Sequence, residues 1–333
     1  TSACVAKAVG VPLERHKKSF EVIAEALRIR GYEFSDHQQK QADMPKGARV
    51  LPNAIGTAPG FAITFEGVDM YFMPGVPYEM KPMFETYVVP SIADQAERNC
   101  YQIRLQTFGL PEAEVAAALA DIEALSPDIR MGYRVHFPET EVKVLAKART
   151  LAEAEERANE VAQRVRECLG DVVYGEGEDT YSAFVGQRLK RKGLTLAVAE
   201  SCTGGMIGHM LTDVPGSSEY LLLDAVTYSN LAKTKLLGVK AETLRDHGAV
   251  SAQTAAAMAE GARALVDASI GVSVTGIAGP QGHSPDKPVG TVWFGLSTRH
   301  GPTHTELHQL HGSRARIRAR SAYLALRLVA NAA

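Results

Sequence analysis

TLAVAESCTGGMIGHML (195–211) reads as a strand that runs into a helix across a glycine-rich turn. The apolar run TLAVAES (195–201) is short and branched enough for a buried strand, and it ends at Glu200–Ser201. TGGMIGHMLTD (203–213) then has helical character, with Gly204 and Gly205 at its start. Ligands of α/β sheets sit outside the carboxyl ends of strands. Two glycines at such an exit let a phosphate or carboxyl oxygen approach backbone N–H groups at a helix start. A serine on that turn is placed like a nucleophile beside oxyanion donors. The plainer alternative is that Ser201 and Thr203 cap the helix while the glycines permit close packing.

Outward from this turn, residues 176–333 alternate helix and strand. YSAFVGQRLKRKG (181–193) is a helix, VTYSN (226–230) a strand and LAKTKLLG (231–238) a helix. SAQTAAAMAEGARALVDA (251–268) is a long helix with Ser251 as N-cap. IGVSVTG (270–276) and TVWFGLST (291–298) are strands, and SRARIRARSAYLALRLVANA (313–332) closes the chain as a helix. This alternation predicts a three-layer α/β domain.

A serine nucleophile needs a base. No histidine close in sequence has an evident partner, although His209 and His247 remain candidates. The next strand–helix unit offers Tyr228 near a strand end and Lys233 on the following helix. A lysine serves as base when desolvation or neighbours depress its pKa, and Ser-Lys variants of the triad logic exist. Taken singly, Lys233 is a solvated helix residue and Tyr228 a packed aromatic; beside Ser201 they become a catalytic set. A second glycine-rich exit, SVTGIAGPQGHSPDKPVGTVWF (273–294), opens the backbone at Thr275, Gly276, Gly279 and Gly282, as a wide turn or as a ligand wall. Arg314 and Arg318 begin the last helix one turn apart, as solvated charges or as phosphate partners.

Three signals are discounted. Cys202 adjoins Ser201 but reads as a small buried thiol. His300, His304, His308 and His311 cluster, but on a strand His304 and His308 lie about 13 Å apart, too far for one metal. The middle of the chain suggests an RNA-binding module, but it lacks a GXXG clamp and a basic–aromatic stripe, which argues against nucleic acid as a partner.

The earlier part divides at about residue 97. Residues 1–97 carry a helix at Glu21–Arg30 ending at Gly31, short strands (AITFE, 62–66; DMYFM, 69–73) between Gly/Pro turns, and a helix in KPMFETYVVPSI (81–92) ending near Pro90. This is a thin core for an α/β domain and reads as a fragment. Residues 98–175 form a small α+β unit. A strand (YQIRLQTFG, 101–109) precedes a helix with Pro111 in its first turn. Two strands then flank a turn at Glu139–Thr140, and a long helix carries the stripe Ala154, Ala158, Val161, Val165 and Leu169. DVVYGEG (171–177) supplies a last strand.

The 333 residues predict two or three domains. Hydrophobic residues make up 45% and charged residues 22%, which excludes a wholly disordered or collagenous chain. Lys and Arg total 36 against 38 Asp and Glu, so no global field holds nucleic acid or an anionic membrane. No apolar run approaches the roughly 18–20 residues of a membrane helix, and the first residues lack a signal-peptide core. Four scattered cysteines predict reduced thiols and a cytoplasmic location.

AESCTGG (199–205), PGSSEYLLLDAVTYSNLAK (215–233), HGAVS (247–251), TGIAGP (275–280) and KPVGTVWF (287–294) resemble the C-terminal domain of the competence/damage-inducible CinA family. The resemblance implies a nicotinamide mononucleotide deamidase, which hydrolyses the carboxamide to nicotinate mononucleotide and ammonia without a cofactor. It places the catalytic serine on Ser201, the tyrosine on Tyr228 and the lysine on Lys233. On this reading Lys233 takes the serine proton directly or through Tyr228. Thr203, Gly204, Gly205, Thr275, Gly276 and Gly279 line the substrate. GSRARIR (312–318) resembles the family's Gly-Asp-Arg helix start, with Ser313 in place of the acid, which makes Arg314 the phosphate partner.

NAIGTAPGF (53–61) and MPGVPYEMKPMF (73–84) resemble the family's molybdopterin-binding-like domain, and residues 98–175 its KH-type domain. The resemblance implies, for a complete first domain, an ADP-ribose pyrophosphatase that uses divalent metal. The family's opening strands and Asp-Asp motif are expected before Thr1, so no metal site is carried over. Gly56, Pro59, Gly60 and Gly75 shape a nucleotide pocket or make turns. The expected division is therefore 1–97 (partial molybdopterin-binding-like), 98–175 (KH-type) and 176–333 (amidohydrolase), assembled as a homodimer acting on a small nucleotide. The alternatives are the pyrophosphatase and a non-catalytic nucleotide- or pterin-binding protein.

Overall fold

The computed structural model describes residues 1–93, 99–124 and 126–333. The chain forms two compact units, Thr1–Glu97 and Arg98–Ala333.

The first unit runs α1 (Ser2–Ala8), β1 (Leu13–Arg15), α2 (Lys17–Ile29), α3 (Asp36–Gln39), β2 (Asp43–Pro45), β3 (Arg49–Leu51), β4 (Gly60–Phe65), β5 (Val68–Phe72), α4 (Pro77–Met83), a π-helical turn and α5 (Val89–Ala93). β1 and β2 pair antiparallel, and β3, β4 and β5 form a separate antiparallel sheet. α2 begins a turn before the expected Glu21 because His16 Nδ1 accepts from Ser19 N at 3.1 Å. The helix expected over 81–92 starts earlier, at Pro77, and runs past Pro90. Pro90 falls in the first turn of α5, directly after the π turn at Phe84–Val88. Two small cores result, one on Ile23, Leu27 and Ala42 and one on Leu51, Ala62 and Met83.

The second unit opens with β6 (Asn99–Phe108), α6 (Glu112–Glu123), β7 (Ile129–His136), β8 (Glu139–Ala148), α7 (Leu151–Leu169) and β9 (Val173–Glu176). The four strands form an antiparallel sheet in the order β7-β8-β6-β9, with α6 and α7 packed on it. The β7–β8 turn falls at Phe137–Pro138, not at Glu139–Thr140. His136 pairs with Glu139, and Pro138 has no N–H to give the ladder. The expected stripe on α7 is buried as read, and the Thr150/Glu153 capping box fixes its start.

There follow α8 (Tyr181–Lys192), β10 (Leu196–Glu200), α9 (Met206–Thr212), β11 (Leu221–Val226), α10 (Asn230–Leu237), α11 (Ala241–His247), α12 (Ala252–Leu265), β12 (Ile270–Gly276), β13 (Thr291–Thr298), β14 (His304–Gln309) and α13 (Arg314–Ala332). The sheet order is β11-β10-β12-β13-β14, parallel across the first three strands and antiparallel across the last three. Side-chain alternation along β10 builds the layers. Leu196 and Val198 face the core shared with α8, α9 and α13. Ala197 and Ala199 face Leu237, Met258 and Ala262 on the other side. The molecule is thus the expected α/β class, with helices on both faces of this sheet.

Two local expectations shift. The strand expected at VTYSN is instead Leu221–Val226; Thr227–Ser229 form its exit, and Ser229 caps α10 through Ala232 N at 3.1 Å. β14 was not foreseen, because HTELHQ is polar and sits on the sheet edge, where hydrophobic alternation is not needed. The boundary drawn at 175/176 falls inside the second unit, where the aromatic rings of Phe108, Tyr174, Tyr181 and Tyr323 pack at 4.9–5.7 Å across it.

Candidate active site

β10 and β11 lie parallel, with Glu200 opposite Val226, so both strands end side by side. Thr227 N bonds Glu200 O at 2.8 Å, which locks the two exits together. Ser201 leaves β10 at this point, and the first turn of α10 brings Lys233 back over it. Lys233 Nζ stands 3.0 Å from Ser201 Oγ and 2.7 Å from Thr227 O. The lysine is 1% exposed and has no carboxylate partner among the described residues. Burial lowers its pKa below the ordinary lysine value. Lys233 Nζ donates to both oxygens; once the amine is neutral, one N–H can stay on Thr227 O while the lone pair takes the serine hydroxyl's proton.

The glycine turn is held differently from the sequence reading. Gly204 and Gly205 have φ of +61° and +88°, which only glycine adopts without strain. Their amides are not open donors, however. Gly204 N bonds Ser201 O at 3.2 Å. Gly205 N and Gly208 N bond the fully buried Glu200 carboxylate at 2.8 and 2.9 Å. An internal anion therefore already occupies the start of α9. Asp224 on β11 lies against Glu200, and its carboxyl is pushed up to about 7 by burial first, then by the charge and hydrogen bond of Glu200. Thr203 is buried, and its hydroxyl has no hydrogen-bond partner among the described residues.

The open space lies on the other side of Ser201. A cavity of about 280 Å³ is lined by Ser201, Cys202, Tyr228, Lys233, Thr275, Gly276, Gly279 and Arg314, among others. The structure thus brings together Ser201, Lys233, Tyr228 and Arg314 with the 275–282 exit, whereas Thr203, Gly204 and Gly205 are not on this wall. Tyr228 is 63% exposed, and its hydroxyl receives Arg314 Nη2 at 3.2 Å rather than touching Ser201 or Lys233. Arg314 Nη1 also bonds Gly279 O at 2.9 Å. Thr275 donates to Ala249 O at 2.7 Å, which pins the 248–250 loop to the cavity floor. Arg318 turns to the serine loop and bonds Cys202 O at 3.2 Å and Thr203 O at 2.7 Å.

Burial pushes the Cys202 thiol up to about 12, so it carries no thiolate at neutral pH. His209 is exposed beside Asp213, and neither it nor His247 lines the cavity. His304 and His308 both contact Glu306, at 3.1 and 3.0 Å, and among the described residues no three His, Cys, Asp or Glu side chains gather to hold a metal. Among the described residues no helix is long and apolar enough to cross a membrane. In the first unit, Asn53 holds the GTAPG loop by accepting from Ile55 N and Gly56 N, next to a cavity of about 250 Å³ lined in part by His16, Asn53 and Thr57.

Sequence reading missed Glu200, Asp224 and Arg318 as builders of the serine loop. The available signal was an acidic residue at the end of an otherwise apolar strand, where a buried carboxylate requires partners.

Residues 178–333 match the CinA C-terminal domain, and residues 102–175 match the damage-inducible protein CinA KH domain. A CinA-like protein of Anaeromyxobacter dehalogenans strain 2CP-1 is 41% identical over 331 residues, covering 99% of this chain and 80% of that protein. A CinA-like protein of Geobacter sulfurreducens is 41% identical over 330 residues, covering 98% and 79%. The crystal structure of a CinA superfamily protein from Klebsiella pneumoniae 700603 is 32% identical and covers 45% of this chain and 94% of that one, with a TM-score of 0.44. This chain belongs to the CinA family.

Proposed function

We propose that this protein hydrolyses the carboxamide of nicotinamide mononucleotide to nicotinate mononucleotide and ammonia at Ser201. The observation that carries the reading is the buried Lys233 amine 3.0 Å from the Ser201 hydroxyl, with burial favouring its neutral form. Ser201 Oγ attacks the amide carbon while Lys233 Nζ takes its proton. The resulting ammonium returns that proton to the departing nitrogen, which leaves as ammonia and yields an acyl-serine. Water then attacks the ester, Lys233 takes the water proton and gives it back to Ser201 Oγ, and the carboxylate product forms. The direct contact makes a relay through Tyr228 unnecessary. Tyr228 and Arg314 face the substrate side, where the guanidinium suits the phosphate and the phenol ring the pyridine.

Ammonia release from nicotinamide mononucleotide tests this. Ser201→Ala and Lys233→Met are expected to lose it, while Tyr228→Phe keeps most of it. Full activity in either of the first two removes that residue from the reaction. The same assay with Arg314→Ala reads a rise in KM.

A further inference from the structure

α13 presents two sets of arginines. Arg314 and Arg318 turn to the loops of the serine site. Arg316, Arg320 and Arg327 instead line a separate cavity of about 300 Å³ between this helix and the end of the β7–β8 hairpin. None of these three forms an ion pair with a carboxylate among the described residues. Arg316 lies over the Phe137 ring, 4.8 Å from its centroid.

The cavity contains two carboxyl groups, Glu112 and Glu139. Glu112 is exposed on α6. Glu139 is bound by the hydroxyls of Tyr174 and Tyr323, and burial raises its pKa despite them. Two of its acceptor sites are taken by phenols, and neither Glu139 nor Glu112 pairs with the three guanidiniums among the described residues. Three like charges around one concavity repel each other, and an anion that binds there removes the repulsion. Arginine's fork favours phosphate oxygens, and its plane extends aromatic stacking. Phe137 and Val135, both exposed residues, add an apolar edge. The volume is at the lower end of the roughly 300–1,000 Å³ usual for small-molecule sites.

We propose that this cleft binds a nucleoside diphosphate, with the phosphates on Arg320 and Arg327 and the aromatic base against Phe137 and Arg316. The inference stands apart from the amide-hydrolysis reading, because no residue is shared between the two cavities.

Calorimetric titration of the full chain with ADP at low ionic strength tests it. The wild type is expected to bind ADP, and adenosine to bind at least tenfold more weakly. Arg320→Gln with Arg327→Gln is expected to weaken ADP at least tenfold at an unchanged thermal midpoint, while Arg314→Ala leaves ADP affinity as it was. Arg320→Gln alone, on the exposed side of the helix, gives the same sign of change if the double variant folds poorly. The proposal fails if the wild type does not bind ADP at millimolar concentration. It also fails if the arginine variants bind as the wild type does, if Arg314→Ala abolishes binding, or if a single-stranded oligonucleotide displaces ADP at lower phosphate concentration.

Discussion

The loop at 53–60 in the first unit and the loop at 200–208 in the second use similar parts. In each, one side chain gathers two backbone amides and a glycine lies against a carboxylate. In the first loop the gathering side chain is the neutral Asn53, and it donates in turn to Glu79 Oε2 at 2.7 Å. Glu79 is half-buried and ends in solvent reach. In the second loop the gathering side chain is the fully buried Glu200, with Asp224 against it and Lys233 across the strand exit. The first loop is a turn that satisfies itself. The second concentrates ionisable groups in a largely buried setting, with Glu200 and Lys233 buried and Asp224 half-buried, and that is what shifts proton affinities enough for acid–base chemistry.

The largest expected difference is in chemistry. Ser201→Ala and Lys233→Met are each expected to reduce ammonia release by about 10⁴-fold or more, as loss of a nucleophile or its base does elsewhere. Lys233→Met separates function from stability. A buried lysine with lowered pKa binds fewer protons folded than unfolded between its two pKa values. Its destabilisation is therefore full below the folded value and relieved as pH rises toward the ordinary one. At pH 7 the methionine variant is expected to melt no lower than the wild type. A clear drop in midpoint would show that the amine's two hydrogen bonds outweigh its burial. In the active enzyme the base must be neutral. kcat/KM is therefore expected to rise with pH through the lowered Lys233 value, an acidic limb that sits below the ~10.4 of a free lysine.

Next in size is the pair of glycine substitutions. A Cβ at Gly208 would lie 2.0 Å from Asp224 Oδ2 and 3.1 Å from Asp224 Cβ, so rotating the carboxylate does not clear it. Gly208→Ala is expected to cost about 1–3 kcal/mol in chemical denaturation and to lower activity by disturbing Glu200. A Cβ at Gly56 meets Glu79 Oε2 at the same 2.0 Å, but only the end of that longer side chain is in the way. Gly56→Ala is expected to cost about 0.5 kcal/mol, and equal costs at the two sites would break the contrast.

The smallest effect is a slope. Asp224 holds its proton up to about 7 in the folded chain, whereas an unfolded aspartate releases it near ~3.9. Between these values the folded state binds more protons, so this residue makes stability fall as pH rises. Asp224→Asn is expected to flatten the change in denaturation midpoint between pH 5 and 7.5. An unchanged slope would assign the titration to another group.

Much of the site was legible before the fold. The serine before two glycines at a strand exit, and the lysine one strand–helix unit later, follow from where α/β sheets keep their ligands. The lines at 181–193, 195–201, 251–268 and 270–276 took the expected helix and strand states because their apolar spacing matches a buried layer. The edge strand at His304–Gln309 and the strand at Leu221–Val226 were missed or displaced, since edge and exit residues are chosen less by hydrophobic period than by pairing.

By itself the sequence determined the alternation that makes a three-layer domain, the glycines a left-handed turn requires, and the residue types a serine–amine pair needs. Tertiary structure alone decided that Lys233 reaches Ser201 directly, that Tyr228 belongs to Arg314, and that Gly205 and Gly208 serve Glu200 instead of a ligand. The reason is that pairing β10 with β11 brings groups 32 residues apart within hydrogen-bond range, and burial then fixes which donor each acceptor keeps.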